Sequence, residues 1–253
     1  MNETLLKDLQ ARKASGQKSF AMLLDPDKTS LDTAERVVLQ AEKYKVDWLL
    51  VGGSLLHDDH IRQLIPYLKS LTKIPVVLFP GSPQQVVPSA NGILFLSLIS
   101  GRNPDLLIGR HVEAAPLIRN TKLEVLPTGY MLIDCGKPTT AHYMSGTQPI
   151  PYDKADIAAC TAMAGEMLGL KLIYMDGGSG AAQPISAKMI QAVSQNTDIP
   201  LIVGGGIRSA AMAEQAWSAG ADLIVVGNAL ERDPDGELLS TIMHVKVGMG
   251  ASV

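Results

Sequence analysis

Three apolar segments in the second half of the chain each run into glycine. Leu172-Ile173-Tyr174-Met175-Asp176 is followed by Gly177-Gly178-Ser179-Gly180, Leu201-Ile202-Val203 by Gly204-Gly205-Gly206, and Leu223-Ile224-Val225-Val226 by Gly227-Asn228. Each segment is strand-length and precedes a helical pattern, so each reads as a strand that hands backbone N–H groups to the start of a helix. Glycine suits such turns because a phosphate oxygen can approach the main chain without meeting a Cβ, and because tight turns often need positive φ. Gly204 to Gly206 alone fit a tight loop equally well. Their recurrence one β/α unit later, at Gly227-Asn228, matches the phosphate site of a (β/α)8 barrel, formed by the loops after the last two strands.

The rest of the chain supplies the other strands such a barrel needs. Phe20 to Leu24, Trp48 to Val51, Val76 to Phe79 and Ile93 to Leu96 are short apolar runs, and Leu123 to Leu126 is a fifth that resumes at Tyr130 to Ile133. Helical patterns alternate with them: a leading helix from Thr4 ended by Gly16, one capped by Ser30 with Ala34, Val37, Val38, Ala41 and Tyr44 on its inner face, and others from His60, Asp105, Asp153, Ser186, Ser209 and Gly236. The alternation predicts an α/β fold, a parallel eight-stranded barrel formed by residues 1–253 as one domain. The connection from Pro80 to Asn91 is too short, and too broken by Pro83 and Pro88, for a full outer helix, which leaves a groove with an apolar wall on that flank. Asp134 to Pro151 is the longest irregular piece. It carries Lys137, Thr139, Thr140, His142 and Tyr143, and reads as a lid or binding loop, or else a surface excursion.

A net charge of -3 gives no global attraction for nucleic acid or anionic lipid, so a phosphorylated ligand must be held locally. No apolar run approaches the roughly 18 residues of a membrane span. The first residues lack the apolar core of a secretory signal, so the expected location is cytoplasmic, and a lipid would be met from the aqueous side. Cys135 and Cys160 form no metal-ligand spacing and read as reduced, structural thiols.

In a barrel the carboxyl ends of all strands share one rim, so Asp25, Ser54, Asp176, Gly205 and Gly227 converge. Asp25 and Ser54 follow adjacent strands. A carboxylate beside a hydroxyl is an incomplete oxygen set of the kind Mg²⁺ takes, completed by water and substrate phosphates; alternatively, Asp25 hydrogen-bonds its own turn. Asp176 either accepts a proton from a substrate hydroxyl or caps its loop. Tyr174 should point inward with it, and Met175 toward the helices. The His57 and His60 pair lacks further ligand spacing, and His111 and His244 read as surface or packing residues. No nucleophile elbow, Walker loop or dinucleotide fingerprint is present.

Five stretches, taken together and in this order, resemble the geranylgeranylglyceryl phosphate synthases: Leu23-Leu24-Asp25-Pro26-Asp27-Lys28, Val51-Gly52-Gly53-Ser54, Tyr174 to Ala181, Val203 to Arg208 and Val226 to Glu231. The resemblance implies a magnesium-dependent prenyltransferase on a modified barrel whose third helix is an extended segment. It further implies transfer of a long prenyl chain, as from geranylgeranyl diphosphate, to the C3 hydroxyl of sn-glycerol 1-phosphate, giving an ether lipid precursor. Carried over by residue, it places Mg²⁺ on Asp25 and Ser54. Glycerol phosphate would lie on Tyr174, Met175, Asp176, Gly177, Gly178, Ser179 and Gly180, with its phosphate on Gly205, Gly206, Gly227 and Asn228. Asp176 would be the base, where many members carry glutamate. Lys28 and Arg208 are candidates for the diphosphate, or else solvated surface charges. A homo-oligomer is expected, with no interface identifiable, as is transient membrane contact for a lipid product.

Other chemistry uses the same glycine loops. A flavin-dependent oxidoreductase would bind its cofactor there, and a phosphosugar isomerase or lyase its substrate, although no lysine lies within an apolar run to form a Schiff base. A non-catalytic binder of phosphorylated ligands is the remaining alternative.

Overall fold

The computed structural model describes residues 4–250. A leading helix, α1 (Thr4–Ala14), precedes the strands β1 (Ser19–Leu24), β2 (Trp48–Val51), β3 (Val76–Leu78) and β4 (Gly92–Leu98), with α2 (Leu31–Lys43) and α3 (Ile61–Leu71) between the first three. The second half comprises α4 (Arg110–Arg119), β5 (Glu124–Leu132), α5 (Thr140–Ser145), α6 (Ala155–Met167), β6 (Leu172–Asp176), α7 (Ala187–Ser194), β7 (Leu201–Gly204), α8 (Ala210–Ser218), β8 (Leu223–Val226), α9 (Asn228–Glu231) and α10 (Glu237–Gly250). The strands pair in parallel in chain order, and β8 pairs back onto β1, closing the barrel.

The two-residue period of a strand sorts its side chains between two cores. Ala21, Leu50, Val77, Leu94, Leu126, Leu172, Tyr174 and Ile202 fill the barrel, whereas Phe20, Leu49, Val76, Ile93, Ile173, Met175 and Val203 pack against the helices. Leu5, Leu6 and Leu9 of α1 join the inner core and close its amino-terminal end, each burial stabilising by about 1.5–3 kcal/mol. The first amides of α1 need an acceptor there. The buried Glu124 carboxylate, at the start of β5, takes the N–H groups of Thr4, Leu5 and Leu6 at 2.8 to 2.9 Å. Ser30, Ser186 and Ser209 cap α2, α7 and α8 through their hydroxyls, as their positions before apolar helical patterns predict.

The connection from Pro80 to Asn91 contains one turn of 3-10 helix, Pro83–Gln85, and nothing longer. The outward faces of β3 and β4 are therefore left without a helix of their own.

Several local expectations are corrected. β5 is one unbroken strand through Pro127: the Pro127 carbonyl accepts from Lys171, ahead of β6, so the N–H that proline lacks would have faced the preceding turn and no ladder bond is lost. The stretch from Asp134 to Pro151 is not wholly irregular, because α5 forms between the extended Thr139 and Gly146, whose φ of 59° ends it. Asp153 does not cap α6; Lys154 occupies that position with no side-chain bond. Cys135 is buried but Cys160 is exposed on α6, so only the first is a packing residue. Among the described residues no helix is long and apolar enough to cross a membrane.

Candidate active site

The carboxyl ends of the strands open into a cleft of about 1330 Å³. Asp25, Ser54, Tyr174, Asp176, Gly178, Ser179, Gly180, Gly205, Gly206, Gly227 and Asn228 all line it. Two of the expected contacts do not. Met175 is fully buried against the helices, as its place in the strand requires, and Gly177 gives its N–H to the Gly204 carbonyl at 3.0 Å.

Asp25 is partly exposed at the end of β1. Its Oδ1 accepts the Asp27 amide at 3.1 Å and its Oδ2 lies 2.8 Å from Lys28 Nζ, so the carboxylate both caps its turn and faces the cleft. Ser54 stands on the neighbouring loop, which the buried Gln85 holds in place: Gln85 Nε2 donates to the Gly53 carbonyl at 2.8 Å, and its Oε1 accepts from the Gly81 amide at 3.2 Å. Asp25 and Ser54 are hard oxygen donors. Among the described residues no three His, Cys, Asp or Glu side chains form a metal cage. That pair fits a cation such as Mg²⁺, which keeps water and draws further ligands from a substrate's phosphates. His57 and His60 diverge: His57 Nδ1 pairs with Asp27 at 2.7 Å and His60 Nε2 lies 3.1 Å from the Thr29 carbonyl.

Asp176 is buried at the end of β6, 7% exposed, among aromatic rings. Its Oδ2 accepts the Tyr130 hydroxyl at 2.5 Å and its Oδ1 the Gly178 amide at 2.7 Å. Burial raises its pKa above the usual aspartate value, and the two hydrogen bonds, with His142 nearby, only partly offset this. A carboxylate so placed is a stronger base than a solvated one once ionised. Burial, and then the Asp176 charge, raise Tyr130 and Tyr174 well above the ordinary phenol range, so both stay neutral donors. Phe79 stacks on Tyr174 at 5.0 Å and meets Tyr130 edge-on at 5.9 Å, giving the cleft an aromatic floor.

Next to Asp25 round the rim, after β8 and β7, lie the glycine turns. Gly205 and Gly206 have φ of 86° and 76°, and a Cβ on Gly205 would stand 2.8 Å from the amide nitrogens of Gly177 and Gly178. Gly227 is different: its φ is −119°, so it needs no left-handed conformation. Among the described residues the amides of Gly205, Gly206, Gly227 and Asn228 donate to no protein acceptor, which leaves four N–H groups for an anion. Arg208 does not enter this bed freely; its guanidinium bonds the Ala181 and Ala182 carbonyls and ties the loop after β7 to the loop after β6.

A model of the PcrB family matches residues 12–246. The chain belongs to the PcrB family. The geranylgeranylglyceryl phosphate synthase of Spirosoma linguale is 54% identical over 232 residues, 92% of each chain, and that of Korarchaeum cryptofilum is 36% identical over 94% of this chain and 97% of its own. The crystal structure of (S)-3-O-geranylgeranylglyceryl phosphate synthase from Thermoplasma acidophilum, in complex with sn-glycerol-1-phosphate, superposes with a TM-score of 0.91 at 32% identity, covering 96% of this chain and 98% of that one. A tryptophan synthase alpha chain from Legionella pneumophila, 16% identical with a TM-score of 0.59, shares the fold alone.

In this PcrB-family barrel the cleft continues as a groove outside the strands, where the missing helix leaves β4 facing α4. Ile93 and Phe95 of β4 and Val86 of the Pro80 to Asn91 connection form the anticipated apolar wall. The opposite wall was not anticipated: it is α4, through His111, Ala114 and Ile118, preceded by Leu106 in a π-helical turn. His111 is thus a groove residue, half-buried and edge-on to Phe95 at 4.5 Å, and burial lowers its pKa. The spacing of His111, Ala114 and Ile118 on one helical face was a visible signal, but it does not say whether such a stripe meets a core or a groove. Tyr130 was also missed as a partner of Asp176; its register opposite Tyr174 on the adjacent strand places it there. Lys137, Thr140, Ala141 and Met144 overhang the cleft from the loop that carries α5, which Asn103 anchors by donating to the Ser145 carbonyl at 2.9 Å.

Proposed function

We propose that this prenyltransferase joins a long-chain prenyl diphosphate, such as geranylgeranyl diphosphate, to the C3 hydroxyl of sn-glycerol 1-phosphate, forming an ether lipid precursor and releasing diphosphate. One observation carries the reading. A single cleft is lined by an oxygen donor pair, an amide bed and a buried carboxylate, and it runs on into an apolar groove. Each part matches one portion of the two substrates.

The free amides of Gly205, Gly206, Gly227 and Asn228 would take the glycerol phosphate, and Tyr174 and the Gly178 to Gly180 turn its glycerol body. The C3 hydroxyl then reaches Asp176, held in one orientation by Tyr130 and Gly178. As the new bond forms between that oxygen and C1 of the prenyl group, the bond from C1 to the diphosphate breaks, and Asp176 takes the hydroxyl proton. The rings of Phe79, Tyr130 and Tyr174 line the cleft beside the positive charge that develops on the allyl group. Asp25 and Ser54 would hold Mg²⁺, which supplies charge neutralisation for the leaving diphosphate. The prenyl tail lies between β4 and α4, away from water.

Incubating the protein with sn-glycerol 1-phosphate, Mg²⁺ and prenyl diphosphates of several lengths, then extracting the products, tests this. An ether product is expected, and its absence with every length would overturn the reading. Asp176→Ala should retain glycerol phosphate binding in part while losing turnover; wild-type turnover in that variant would remove Asp176 from the mechanism.

A further inference from the structure

Lys28 bridges two carboxylates from opposite ends of the chain. Its Nζ lies 2.8 Å from Asp25 Oδ2 and 3.8 Å from Glu231 Oε2. Asp25 follows β1 and Glu231 ends α9 after β8, and barrel closure makes those strands neighbours. All three side chains line the cleft. Lys28 is half-exposed on a flexible four-carbon stem, whereas each carboxylate is about a quarter exposed, so the ammonium is the member free to move.

Asp25 has two oxygens and both are engaged, one by the Asp27 amide and the other by Lys28. A divalent cation at Asp25 would be placed against an ammonium on the same carboxylate, and like charges at such range repel strongly. Lys28 has somewhere to go, because Glu231 is already within ion-pair range of it. We propose that Lys28 is an exchangeable counter-ion, held by Asp25 until a metal ion takes that carboxylate and then transferred to Glu231. The inference rests on the metal role proposed for Asp25. It assigns Glu231 as a positioning residue, not a ligand: it keeps the displaced ammonium at the edge of the cleft, where an incoming diphosphate would meet it.

Mn²⁺ binding followed by electron paramagnetic resonance, with no prenyl substrate present, tests the exchange without relying on turnover. Removing the competing ammonium in Lys28→Met should tighten Mn²⁺ binding roughly two- to fivefold, the equivalent of an exposed ion pair. Glu231→Gln should weaken binding by a similar factor, and that effect should vanish in the double variant, where there is no ammonium to receive. Wild-type crystals soaked in Mn²⁺ should show Lys28 Nζ on Glu231 and off Asp25. Unchanged or weaker binding in Lys28→Met, with Asp25→Asn still abolishing it, would overturn the exchange and leave the metal role standing. A loss from Glu231→Gln that persists in the double variant would make Glu231 act on the metal itself, overturning its assignment. No Mn²⁺ binding in any variant would remove the metal role and this inference together.

Discussion

Asp176 shows how a neighbour on the adjacent strand tunes one carboxyl group. Its pKa lies above the usual aspartate value because it is buried, and the ionised form is the one that accepts a proton. With Asp176 as the proposed base, activity should be lost as pH falls through a value higher than that of an ordinary aspartate, and retained above it. The Tyr130 hydroxyl favours the ionised form. Tyr130→Phe removes that donor, so the acid limb of kcat/KM should move to higher pH while glycerol phosphate affinity changes little; an unmoved limb would separate the two residues. Gly205 makes a second residue-scale case. An alanine there would suffer left-handed strain of about 1–2 kcal/mol and press its Cβ on the Gly177 and Gly178 amides. Gly205→Ala should lower the melting temperature and weaken sn-glycerol 1-phosphate binding at least about tenfold by calorimetry. Gly227, with negative φ, lacks the first of these penalties.

At the scale of elements, the groove exists because one element is missing. The prolines between β3 and β4 leave a single 3-10 turn where the barrel rule would put a helix, and α4 then faces β4 across a gap. Ala114 is the small residue on that face, 6% exposed. Ala114→Phe should fill the groove at its level, shifting the preferred prenyl diphosphate to shorter chains by about tenfold in a mixed-length competition, with stability lowered by about 1–3 kcal/mol. Glycerol phosphate binding should not change, since α4 does not reach the glycine turns. The broken connection was legible as a proline pattern, and so was the wall on β4. The identity of the second wall was not, because a helix's apolar stripe looks the same whether it covers a core or a ligand.

For the whole molecule, the two ends of the barrel divide the work. Glu124 serves the amino-terminal end, where three amides of α1 converge on its carboxylate. Glu124→Ala should cost about 2 kcal/mol in denaturant unfolding while leaving kcat/KM unaltered. A matching loss of activity would mean the ends are coupled. The strands, their alternating faces, the serine caps and the glycine turns could all be read from the chain, because each follows from a local rule: a two-residue period, a hydroxyl before an apolar helix, a main chain with no room for a Cβ. Asp25 and Asp176 were legible in the same way, as carboxylates at strand ends. Barrel closure alone decided which groups meet. It set Tyr130 against Asp176 across 46 residues, Lys28 between Asp25 and Glu231, and α4 across from Phe95. Those contacts depend on register and on the ring joining β8 to β1, and neither is a property of any one stretch of sequence.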